Sequence, residues 1–79
     1  MEKQKFETIL IFIVPEIIKL IVENYPYDEV MASKKFYESE VYSVLADEET
    51  KLWHLSPLTI YNMFDEETKT GKISFPEGA

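Results

Sequence analysis

Apolar residues crowd the first third of the chain. Residues 9–22 read ILIFIVPEIIKLIV, and only Glu16 and Lys19 in that run are charged. Two patterns compete over it. Residues 9–14 are rich in β-branched side chains and suit a strand, with Pro15 opening a following helix at its first position. Alternatively, residues 5–24 form one helix kinked at Pro15, where the ring removes the bond to Ile11. A buried strand needs a paired neighbour, and the rest of the chain offers only residues 72–75. The helix is therefore expected. It would be apolar on most sides, which requires cover on most sides.

Downstream the pattern is punctuated by capping residues. Asn24-Tyr25-Pro26 closes the first helix, because the residue before a proline resists the helical region. Asp28 is placed to cap a second helix, in which Val30, Tyr37, Val41 and Val44 or Leu45 recur at helical spacing. Ser39 offers a second cap, so this stretch reads as two short helices meeting near residues 36–38. Asp47-Glu48-Glu49-Thr50 reads as a solvated acidic turn. Leu52-Trp53-His54-Leu55 then links to the clearest helix start in the sequence, with Ser56 as cap and Pro57 as first helical residue. Leu58, Tyr61 and Phe64 form one stripe, with Ile60 and Met63 beside it. Lys69 suits the last turn, and Gly71 suits the left-handed position just past it. Ile73 and Phe75 are expected to fold back on the core, and residues 76–79 to fray. The sum is a single all-α domain over residues 1–79, a small bundle of three to four helices.

Composition narrows what such a domain can do. A chain of 79 residues holds one domain and buries a small core. Cysteine is absent, which removes disulfides and thiolate metal sites and fits a reducing cytoplasm. Net charge is −7, and all 8 bases are lysine. An acidic chain without the arginine fork is poorly suited to nucleic acid, whose affinity rests on phosphate neutralisation. The same charge disfavours anionic membrane surfaces. The apolar run is 14 residues long, short of the roughly 20 a spanning helix needs. The expectation is a cytoplasmic protein with neither nucleic acid nor membrane as partner.

Catalytic constellations are weak. His54 is the only histidine, and nearby Ser56 is better used as a cap than as a nucleophile. The acids at residues 38–40, 47–49 and 65–67 lie in polar runs, where carboxylates stay solvated and their titration is not split. The sequence DEETK occurs at both residues 47–51 and 65–69, too short an echo for a structural repeat. No calcium-loop, phosphate-loop or zinc-ligand pattern is present. No enzyme activity, cofactor or metal is expected.

Residues 36–76 resemble a group of small uncharacterised helical bacterial proteins. The likeness rests on F-Y-x-S-x-V-Y-x-x-L, then on DEETKLWHLSP, then on T-G-K-I-x-F-P. Such proteins are associated with gut-type bacteria and sometimes lie beside toxin-like genes. The resemblance implies a helical bacterial accessory protein and carries over no functional residues.

These readings converge on a protein–protein interaction module, antitoxin-like or accessory to one dedicated partner. Asp47, Glu48, Glu49, Asp65, Glu66 and Glu67 would face a basic surface, with Trp53 and His54 as neighbouring contacts. The alternative is a homodimer that self-associates through Ile9, Phe12, Ile13, Ile17 and Leu20. A small enzyme built on His54 is a third, weaker reading.

Overall fold

The computed structural model describes residues 3–72, and four α-helices account for most of them. The first, α1, spans Lys3–Asn24 and runs through Pro15 as one element, so residues 9–14 are helix and not strand. Pro15 has no N–H for the Ile11 carbonyl. Both residues are exposed, so that loss falls on a wet side of the helix. At the far end Asn24 Nδ2 donates to the Leu20 carbonyl at 2.8 Å, satisfying one of the orphan acceptors of the last turn.

The capping residues expected from sequence do their work. Asp28 opens α2 (Glu29–Tyr37), its carboxylate accepting from the Met31 amide at 2.8 Å. Ser39 is used twice. Its hydroxyl donates to the Phe36 carbonyl at 2.5 Å and accepts from the Tyr42 amide at 3.1 Å, so it closes α2 and opens α3 (Glu40–Leu45). Ser56 caps α4 (Pro57–Thr70) through the Thr59 amide at 3.2 Å, with Pro57 in the first turn. Gly71 ends α4 at φ 78°, and its N–H returns to the Glu67 carbonyl at 2.7 Å. Only a residue at ease with positive φ fits that stop.

The link between α3 and α4 is more ordered than a solvated turn. Two single 3₁₀ turns, Glu48–Thr50 and Leu52–His54, are joined by Lys51 at φ 59°. Thr50 Oγ1 donates to the Val44 carbonyl at 2.6 Å, and Trp53 Nε1 donates to the Glu48 carbonyl at 3.0 Å. Leu52 is carried into the core at 1% exposure.

Ile17, Ile21, Ala32, Phe36, Val41, Leu45, Leu52 and Ile60 are all but fully buried. Phe36 is the junction. Its ring lies 5.6 Å from Tyr42 of α3 and 6.0 Å from Phe64 of α4, both edge-on, a favoured aromatic geometry. The expected α2 stripe is displaced, because Val30 is 78% exposed and Tyr37 50%, while Ala32 and Phe36 are buried. In α4, Leu58 is 56% exposed, and Ile60, Tyr61, Met63 and Phe64 carry the contact. Val30 and Leu58 sit in the first turn of their helices and Tyr37 is the last residue of α2, ends where one turn of apolar spacing does not fix which side faces in. The expected folding back of Ile73 and Phe75 and the fraying of residues 76–79 lie outside the described residues.

Replacing Phe36 with Ala should cost about 3–5 kcal/mol, whereas Val30→Ala should stay within about 0.5 kcal/mol. Urea unfolding midpoints of the two variants check the contrast, and similar losses would remove Phe36 from its central place.

Candidate binding groove

The shortest dimension of the fold is 18 Å, room for two layers of helices at their usual separation of about 8–10 Å. α1 packs against α4, α2 and the turn at Leu52–His54. Val14, Ile17 and Ile21 are buried in that contact. A second apolar stripe lies mostly outside it, with only Ile18 half-buried against the core. Ile11, Pro15, Ile18 and Val22 recur at spacings of four, three and four, which lines them up along one side of a helix. Ile11 is 68% exposed and Val22 37%.

This stripe floors an open groove of about 650 Å³. Glu29 and Tyr37 of α2 and Tyr42 of α3 wall one side, and Lys19 of α1 lies among the lining residues. The Tyr37 and Tyr42 rings meet edge-on at 4.7 Å, which holds both in place. Among the described residues, neither Lys19 nor Glu29 makes an ion pair. The groove is thus an apolar trough with two unneutralised, opposite charges on its lining. Phe12, 73% exposed, stands on the Lys19 flank two turns earlier.

The acids expected to form a partner surface are largely engaged by the chain itself. Asp47 caps the first 3₁₀ turn through the Glu49 amide at 3.0 Å. Glu67 reaches across to α3, where its two carboxylate oxygens accept from the Glu40 and Val41 amides at 3.1 Å each. That is a tertiary cap on orphan donors of a helix start, and it also places negative charge at the positive end of α3. Asp65 accepts from the Tyr25 hydroxyl and pairs with Lys69 at 3.0 Å. Glu48 is half-buried, and Glu49 and Glu66 are exposed. Trp53 is half-buried with its N–H committed to Glu48, and its ring lies 5.8 Å from His54. His54 is exposed, with Nδ1 against the Lys51 carbonyl. The Ser56 hydroxyl is engaged by the Thr59 amide and hydroxyl. Among the described residues, no group of three histidine, aspartate or glutamate side chains could hold a metal ion.

The five residues expected to pair two copies divide differently. Ile17 is fully buried inside its own chain and is unavailable to a partner, because α4 and α2 already occupy that side of α1. Ile13 and Leu20 are half-buried against the core, Ile9 is half-buried, and Phe12 is exposed. The sequence reading missed Ile11, Ile18 and Val22, although their spacing with Pro15 was there to be found. It also missed the groove's Lys19 and Glu29.

No helix among the described residues is long and apolar enough to cross a membrane. No protein-family model, curated protein or solved structure matches the chain.

The Tyr25–Asp65 contact gives the fold a pH signature. Burial, and then the bond to the Asp65 carboxylate, push the Tyr25 hydroxyl up to about 12. Burial also raises Tyr61, with the Asp65 charge adding to it. The bond from Tyr25, and then Lys69, hold Asp65 below its ordinary 3.8. A raised group stabilises the fold fully below its unfolded value, so stability should fall as pH rises from 10 toward 12. A lowered acid stabilises the fold above its unfolded value, so a second loss should appear as pH drops below 3.8. Tyr25→Phe should flatten both limbs in urea midpoints taken across pH, with Tyr61 still contributing to the alkaline one. Limbs identical to wild type would dismiss the pair as their source.

Proposed function

We propose that this chain is a protein-interaction module that receives an apolar helix in the groove of α1. The observation that carries the reading is the stripe of Ile11, Pro15, Ile18 and Val22, exposed except at half-buried Ile18, on a helix whose other side is already the core of the domain. Singly exposed apolar residues are ordinary, but a contiguous trough of them on a small domain marks a contact site. The trough spans residues 11–22, about 16 Å of helix. That length matches the three-turn footprint of helix-in-groove recognition, with apolar anchors repeating every three or four residues.

The groove is a better-supported surface than the acidic runs. Asp65 and Glu67 are held in hydrogen bonds that stabilise the fold, and Trp53 is tied to the linker. A surface that recruited these side chains would have to break those bonds first. Within the groove, Ile11, Pro15 and Val22 are exposed and free of such ties.

The reading is tested by tagging the chain and recovering it from its source cells in three forms. Wild type and Leu58→Asp should each retain a near-stoichiometric protein, whether another chain or an untagged copy of this one. Ile11→Asp should lose it, with helical content unchanged by circular dichroism, because Ile11 is 68% exposed. Retention by Ile11→Asp equal to that of wild type would sink the groove as the docking surface.

A further inference from the structure

Resting on that reading, we infer that the helix received by the groove is α1 of a second copy of this chain, docked parallel to the first about a two-fold axis. Three features of the groove fit one another when the molecule meets itself. The floor is a seam. Ile11, Pro15, Ile18 and Val22 repeat at four, three and four residues, the a/d spacing by which one helix packs along another like it. An occupant with matching anchors is therefore already present in the chain.

The second feature is the order of groups on the two flanks. On the α1 flank stand Phe12 and Lys19, seven residues apart, or about 10 Å along the axis. The other flank carries Tyr37 and Glu29, eight residues apart, or about 12 Å along α2. Only four residues join α1 to α2, so α2 turns back along α1. Glu29 then stands beside the carboxy-terminal end of α1, and Tyr37 stands toward its middle. In a parallel two-fold pair, one flank of each helix faces the opposite flank of its partner, as e and g positions do. Lys19 of one copy then meets Glu29 of the other. Phe12 of one copy meets the Tyr37 and Tyr42 rings of the other. An antiparallel two-fold pair would bring like flanks together, setting Phe12 against Lys19 and Tyr37 against Glu29, and would leave both charges unpaired.

The third feature is charge. Neither Lys19 nor Glu29 makes an ion pair among the described residues. A two-fold contact neutralises both, twice over, in a setting drier than the free surface. At net charge −7 the two copies repel at long range. Salt therefore screens the repulsion and strengthens association, whereas a basic partner would be weakened by salt.

Sedimentation equilibrium of the purified full chain reads the outcome. Wild type should show a reversible species of twice 9.3 kDa, favoured by added salt. Lys19→Glu alone and Glu29→Lys alone should each weaken it by about tenfold or more. The double variant Lys19→Glu with Glu29→Lys should recover wild-type association, because each new charge again meets its opposite. Both positions are exposed, and circular dichroism confirms that each variant folds. A dimer indifferent to Lys19→Glu, or not restored by the exchange, overturns the parallel seam. A monomer at every concentration and salt overturns the second copy as occupant. In that event, loss of a different retained protein in Ile11→Asp leaves the interaction module standing, and unchanged retention brings down both.

Discussion

The constraint on which this structure turns is the character of α1. Twenty-two residues of helix carry apolar side chains on nearly every side, in a chain of 79. Water must be excluded from as much of that surface as the remaining residues can reach, because burial of apolar area is the main favourable term in folding. Three short helices and two single turns are the available cover. They shield the side with Val14, Ile17 and Ile21, and they leave the side with Ile11 and Val22 open. The shape of the domain, the groove and its function as a contact surface all descend from this shortage of cover.

The cover is held together by aromatic and polar ties rather than by bulk. Phe36 joins α2 to α3 and α4 through ring contacts. Tyr25 sits edge-on at 6.1 Å from Phe64 and bonds to Asp65, which fastens the end of α1 to α4. Glu67 fastens α4 to the start of α3. The Tyr25 and Glu67 ties each span a long stretch of sequence and satisfy polar groups that would otherwise lack a partner within the chain. Part of the acidic character of the chain, at Asp28, Asp47, Asp65 and Glu67, is thereby structural. Carboxylates serve at helix starts, where the exposed amides and the helix dipole both favour them.

Local signals in the sequence were legible because they act over three or four residues. Asp28, Ser39, Ser56 and Gly71 each bond within their own turn, and the structure uses each as expected. The inward sides of short helices were not legible in the same way. The nine residues of α2 give two turns and a half, and Val30 with Tyr37 is as periodic as Ala32 with Phe36. Only tertiary packing chose between them. Glu67 was hidden for another reason. Its partners lie 26 and 27 residues away, and nothing local distinguishes it from the acids beside it. The groove lay between these cases. The spacing of Ile11, Pro15, Ile18 and Val22 was visible, but its exposure depends on what the rest of the chain leaves uncovered.

The corner at Ser39 also governs where this chain can change length. One hydroxyl serves the last turn of α2 and the first turn of α3, so a residue inserted between Phe36 and Tyr42 would separate the carbonyl from the amide it links. Both helices would lose their shared end at once, and Phe36 would be withdrawn from Tyr42 and Phe64. Insertions and deletions should therefore be tolerated poorly at this corner. The Tyr25–Asp28 link is no freer, since Tyr25 and Tyr27 pack against the core and Tyr25 is pinned to α4. Lys51 is no outlet either, because the Trp53 N–H reaches back across it to the Glu48 carbonyl and the next residue, Leu52, is held in the core.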